Sequence, residues 1–180
     1  MATLDPIIAI LENLSAASLD QILALAQSLQ AKEARASTWS FSFLEHFQET
    51  TRTGMENKIA EAVCAGVTRR ALWEHPPMSG LASVGYIVPI PTGVRQVKIK
   101  FAVGIRDGAE LPADRYVAFR VLVNGWKLWS TVKNSHGWEE HEIKMPQLSS
   151  DVARIEFITD ALGDNHWNWA VWGEPRLEGE

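Results

Sequence analysis

One cysteine, Cys64, stands among 180 residues, so no disulfide can form within the chain. In a β-rich domain that favours a reducing compartment. Cations are also outnumbered: 17 Lys and Arg against 22 Asp and Glu give a net charge of −5, and they form no cluster. That argues against a surface tracking nucleic-acid phosphates. No run of about 18 apolar residues is present, so no span of a membrane is expected. The opening Met1-Ala-Thr-Leu-Asp-Pro6 lacks a basic stretch, and Asp5 and Glu12 interrupt its apolar residues. No secretory signal is expected there, and the location expected is cytoplasmic. Gly-x-Ser-x-Gly, a P-loop and Gly-x-Gly-x-x-Gly are all missing, which removes the common signatures of hydrolases and nucleotide binders.

What remains is globular in composition, with 46% hydrophobic and 22% charged residues. Residues 4–34 read as helix. Asp5-Pro6 offers a capping carboxylate before a proline at the first helical position. Leu4, Ile7, Ile8, Leu11 and Leu14 share one face, and a second helical stretch carries Leu19, Ile22, Leu23, Leu25, Ala26 and Leu29. Ser15-Ala-Ala-Ser18 breaks the rows, and Ser18-Leu-Asp-Gln21 has the spacing of a capping box. The segment is therefore two helices, or one bent near 15–18, ending about Lys32. Its stripe needs cover, from its own domain or from another chain. A homo-oligomer joined through residues 4–32 is one expectation. A composition break near Ala34-Arg-Ala-Ser37 divides the chain into 1–36 and 37–180.

From Thr38 the period becomes two. Val97, Ile99, Phe101, Val103 and Ile105 alternate with Gln96, Lys98 and Lys100; Val117, Phe119, Val121 and Val123 repeat the pattern, as do Ala153, Ile155 and Phe157. Trp39, Phe41, Phe43 and Phe47, then Arg70–His75, Val84–Pro89, Trp126–Val132, Glu140–Lys144 and Trp167–Trp172, complete eight or nine short strands. Asn124-Gly125 marks a type I′ hairpin. Residues 55–67 read equally as a short helix or a strand. The fold class is mainly β, a jelly-roll-like antiparallel sandwich with an N-terminal helical appendage. Val97, Ile99, Phe101, Phe119, Val121, Ile155, Phe157 and Trp169 are its expected core.

Trp73-Glu-His-Pro-Pro77 leads to Tyr86-Ile-Val-Pro89. Lys98–Gly108, Val117–Gly125, Gly137-Trp138 and Thr159–Asp164 follow, and Trp169-Ala-Val-Trp172 closes the series. In this order the pieces, over about residues 70–178, resemble the galactose-binding-like β-sandwich superfamily, nearest to carbohydrate-binding modules of the NPCBM type. The helical segment lies outside the resemblance. In that pattern the residue before the Trp-Ala pair is often Asp; here it is Asn168, so no charge-dependent role is expected there.

The resemblance implies a non-catalytic module whose partner is a carbohydrate or glycosylated ligand. Aromatic faces would lie against pyranose C–H groups while polar groups fix the hydroxyls. The candidates on loops are Trp126, Trp129, His136, Trp138, Asp164, Asn165, His166 and Trp167, with Trp138 as the stacking face. The loops Asn134–Trp138 and Gly163–Trp167 are expected at one end of the sandwich. The resemblance also implies a structural calcium, for which Asp107 and Glu174 are the candidates. Zinc gains no support, since His136 and His141 would point to opposite faces of a strand. Two other readings stay open: an intracellular assembly module that oligomerises through its helices, and a jelly-roll enzyme, for which Asp160/Asp164 and Glu139/Glu140 are the nearest carboxylate pairs.

Overall fold

The computed structural model describes residues 11, 13–36, 39–148 and 150–180. The chain divides into two units, Met1–Thr38 and Trp39–Glu180. In the first unit, α1 runs from Ala16 to Ala36. Ser15 caps it: the Ser15 hydroxyl oxygen accepts from the Ser18 backbone N–H at 3.3 Å. The cap thus sits three residues before Ser18, and the helix continues four residues past Lys32. Leu4, Ile7 and Ile8 lie outside the described residues. On α1, Ile22 is 41% and Leu25 61% exposed. Among the described residues no helix is long and apolar enough to cross a membrane.

The second unit is a sandwich of two antiparallel sheets. One contains β3 (Glu56–Cys64), β4 (Val67–His75), β11 (Ala170–Gly179), β6 (Lys98–Ile105) and β9 (Glu139–Lys144) in that order, with β1 (Trp39–Ser42) also paired to β11. The other has the order β2 (Thr51–Thr53), β5 (Leu81–Pro89), β10 (Val152–Asp160), β7 (Val117–Val123) and β8 (Trp126–Lys133). Residues 55–67 are therefore mostly strand. The Asn124-Gly125 turn takes positive φ at both residues, 51° and 82°, as a type I′ hairpin requires.

Period two dictates the core. Leu72, Ile99, Phe101, Val103, Ile105 and Trp172 from one sheet meet Val84, Tyr86, Phe119, Val121, Ile155 and Phe157 from the other, and all are buried. Trp172 is its centre, edge-on to Phe101, Phe119 and Phe157 at 5.3, 5.2 and 4.9 Å. Trp169, expected in the core, is only half-buried at its margin. The strand begins at Ala170, and up to the bulge its even-numbered residues, Ala170 and Trp172, face inward. Trp167, at φ 64°, breaks the alternation before it. A phase error of one residue puts every side chain on the wrong face.

β11 shares one edge between two strands: β4 pairs over Val171–Gly173 and β1 over Arg176–Gly179. A bulge with Glu174 at φ 45° separates the two stretches, where Pro175 has no N–H to give the ladder. Beyond Ala71 the β3–β4 hairpin leaves the ladder and bends across the outer face of β11 and β6. Its tip, Ala65-Gly66, is held by Asp107, whose carboxylate accepts from the Ala65 and Gly66 N–H groups at 2.7 and 2.8 Å.

Beneath the hairpin, Trp138 lies against Gly104 and Gly173 and donates its indole N–H to the Val67 carbonyl at 2.9 Å. A Cβ on Gly104 would meet the Cys64 sulfur at 2.7 Å and the Trp138 ring at 3.0 Å. Gly104→Ala is therefore expected to cost about 1–3 kcal/mol, read by urea unfolding. Unchanged stability would show that the hairpin does not press on this face.

Candidate functional site

Strand register brings five connections to one rim. Asp160 pairs with Leu81 and with the β7 edge at Ala118, Val117 with Lys133, Ala170 with Ile105, and Glu56 with His75. The 54–55 turn and the loops 76–80, 106–116, 134–138 and 161–169 thus share an end, so Asn134–Trp138 and Gly163–Trp167 do lie together. Side chains tie them. Asn134 donates to the Pro112 carbonyl at 2.9 Å, and Arg115 pairs with Asp164 at 2.7 Å. Arg115 also donates to the His166 carbonyl at 3.2 Å. Asp164 accepts from the His166 backbone N–H at 2.9 Å and bonds its ring Nδ1 at 2.8 Å. Those bonds, with Arg115, hold the Asp164 carboxyl below its ordinary range. Buried Asn168 fastens the loop from within, donating to the Asp164 carbonyl at 2.5 Å.

A pocket of about 280 Å³ opens on this rim, lined by Glu56, Trp73, Glu74, His75, Arg106, Trp169 and Ala170. It is at the small end of ligand-site volumes, a size for a single sugar ring. The Arg106 guanidinium carbon sits 3.4 Å over the Trp73 ring and 5.0 Å from that of Trp169. Trp167 extends the row, its ring 5.3 Å from Trp169. Backbone geometry fixes this stack: the Arg106 N–H donates to the Trp169 carbonyl at 3.1 Å, where β6 and β11 end together. His75 closes one side, its Nδ1 3.0 Å from the Asn168 carbonyl.

Glu74 is fully buried and accepts from the Trp172 indole N–H at 2.6 Å, while its other oxygen has no partner. Burial pushes its carboxyl well above the ordinary range. Folded protein therefore holds this proton at pH values where unfolded chain has released it. Stability should fall as pH rises above about 4.5, by up to about 1.4 kcal/mol per pH unit. Glu74→Gln keeps the acceptor and removes the titration. It should match the wild type near pH 4 and become progressively more stable than it towards neutral pH in urea titrations. A difference that does not vary with pH would contradict this.

The eight loop residues singled out in the sequence do not line the pocket. Trp126 is at the opposite rim, 82% exposed in the Asn-Gly hairpin. Trp129 packs inward, 4.9 Å from Phe101 and 4.5 Å from His141. Trp138 is occupied under the β3–β4 hairpin, so it offers no free stacking face. The His136 Nδ1 is 3.2 Å from the Ile105 carbonyl. Asp164, Asn165 and His166 brace the loop, and Trp167 flanks the pocket through Trp169. Trp73, Glu74 and Arg106 were missed as a set. The signal available was Trp-Glu-His at one strand end and Arg106 directly after another.

Asp107 and Glu174 cannot hold one calcium. Asp107 lies past Ile105, which pairs with Ala170, and Glu174 is four residues further along β11, about 13 Å away. Both Asp107 oxygens are engaged by the hairpin tip. The carboxylate pairs considered for an enzyme are likewise committed: Asp160 to Arg120, Asp164 to Arg115, Glu139 to Lys133 and Glu140 to Arg69.

No family model matches the chain, and no curated protein does. Solved structures do. A CBM51 from Clostridium perfringens GH95, in complex with methyl-galactose, superposes with a TM-score of 0.53 at 10% identity, over 77% of this chain and 99% of that module. This chain shares the antiparallel β-sandwich fold of that module. CBM51-2 of Clostridium perfringens ZmpB, in complex with GlcNAc, gives 0.52 at 13% identity, covering 78% of this chain and 31% of that longer one. TmCBM61 with β-1,4-galactotriose gives 0.50 at 17%, over 77% and 94%. At such identities the β-sandwich fold is what the chains share; the side chains on its rim are this protein's own.

Proposed function

We propose that the sandwich is a non-catalytic module that binds a carbohydrate at the Trp73–Arg106–Trp169 pocket. The observation that carries this is Arg106. Its guanidinium is held against two indole rings and makes no ion pair or side-chain hydrogen bond among the described residues. Stacked donors beside apolar ring surface match a pyranose, which has C–H faces and hydroxyl edges. The neighbours' ligands, methyl-galactose, GlcNAc and galactotriose, support the class. Trp167, next in the aromatic row, would contact a second sugar ring. Glycan-array binding by the intact chain, lost in Trp169→Ala, tests the reading.

A second element of the proposal is self-association. Leu19, Ile22, Leu23 and Leu25 expose apolar surface on α1, which a second copy of the helix would cover. Linking weak single-sugar sites in this way raises avidity without new contacts. Removing residues 1–38 should lower the solution mass to that of a monomer by light scattering; an unchanged mass refutes it. The lone Cys64 is buried, with a thiol pushed up to about 12 by desolvation, so the sandwich needs no oxidising environment. That supports a cytoplasmic location.

A further inference from the structure

Resting on the sugar-binding reading, we infer that the pocket selects an acidic sugar: a pyranose whose carboxylate or sulfate group is gripped by Arg106. A charge count supports this. Glu56 is neutralised by Lys58, 2.7 Å away. Glu74 is fully buried, which favours its uncharged form. His75 is engaged through Nδ1 with the Asn168 carbonyl oxygen. Arg106 makes no ion pair among the described residues; Glu56, which Lys58 shares, acts on it only from beyond ion-pair distance.

Its geometry suits an anion better than a hydroxyl. The guanidinium carbon sits 3.4 Å from the Trp73 ring centroid. No ion pair or side-chain hydrogen bond among the described residues takes up its N–H groups. Those groups form a fork matched to two oxygens of one anionic group. A lone hydroxyl fills half of it. Partial burial weakens the guanidinium's hydration, so a paired anion gains more there than at an open surface.

The experiment is calorimetric titration of the intact chain with methyl-galactoside, methyl-galacturonide and galactose 6-sulfate at low salt. Galacturonide, the sulfate, or both should bind at least about tenfold tighter than the neutral sugar, since charge-assisted bonds are about twice as strong as neutral ones. Which of them does so identifies the anionic group. Arg106→Lys keeps the charge and removes the fork and the stack; it should weaken neutral and acidic sugars alike and reduce the preference between them to about threefold or less. Glu56→Gln, which spares the stack and removes the lining carboxylate that acts on Arg106, should raise the preference for the acidic over the neutral ligand. Equal affinity for neutral and acidic sugars overturns the inference and leaves the carbohydrate reading standing. A preference that survives Arg106→Lys overturns it too. Absence of binding by all three sugars removes both.

Discussion

Trp172→Ala is expected to leave the sandwich largely unfolded at 25 °C. The indole is fully buried among Phe101, Phe119 and Phe157. Truncating such a ring costs about 3–5 kcal/mol in transfer and cavity terms. Its N–H also serves a fully buried carboxyl group, Glu74, whose other oxygen already lacks a partner. Leaving that group with neither bond adds about 1–3 kcal/mol. The sum rivals the whole stability of an ordinary domain, about 5–15 kcal/mol. Near-ultraviolet circular dichroism and urea titration read the result. A cooperative transition at the wild-type midpoint would mean that Trp172 is not the centre of the core.

Trp169→Ala is expected to behave oppositely. The ring lines the pocket and touches Gly108, Trp167 and Arg106. Its loss removes one wall and frees the Arg106 guanidinium, so sugar affinity should fall about thirtyfold or more, the effect of losing a contact worth about 2 kcal/mol. The melting transition should move little by comparison with Trp172→Ala. Trp138→Ala gives the contrast: it uncovers Gly104 and Gly173 and drops the bond to Val67, costing stability while leaving sugar affinity intact. Titration and thermal unfolding of the two variants side by side decide the matter. Lost binding in Trp138→Ala with retained binding in Trp169→Ala would move the site to the loop first singled out in the sequence.

The sheets were legible because alternation is a local signal. Val97 to Ile105 and Val117 to Val123 declare their inner faces without help from the rest of the chain, and Asn124-Gly125 states its own turn. Ala65-Gly66 does not. Alanine has no preference for φ 49°; the turn exists because Asp107, 41 residues away from Gly66, accepts both N–H groups. The same long-range bond took Asp107 from the calcium reading. Trp169 was misassigned through strand phase, which Trp167 and Asn168 reset in a way that composition does not record. The rim was foreseen as a set of loops. Its pocket was not, because the pocket is assembled where β4, β6 and β11 end together, and only the register between those strands puts Trp73, Arg106 and Trp169 in one place. Loop membership favoured Trp138 and Trp126, and tertiary packing decided against them.

The most direct test of sugar binding at this pocket follows the tryptophan indole N–H and arginine Nε–H resonances of the intact chain during titration with methyl-galactoside, methyl-galacturonide and GlcNAc. The chain has eight tryptophans, assignable by single substitutions. Saturable shifts are expected at Trp73, Trp169 and Arg106 with at least one of the three, a smaller one at Trp167, and none at Trp126, Trp129 or Trp138. Shifts centred on Trp126 or Trp138, or no shift with any of the three sugars at millimolar concentration, would contradict sugar binding at this pocket.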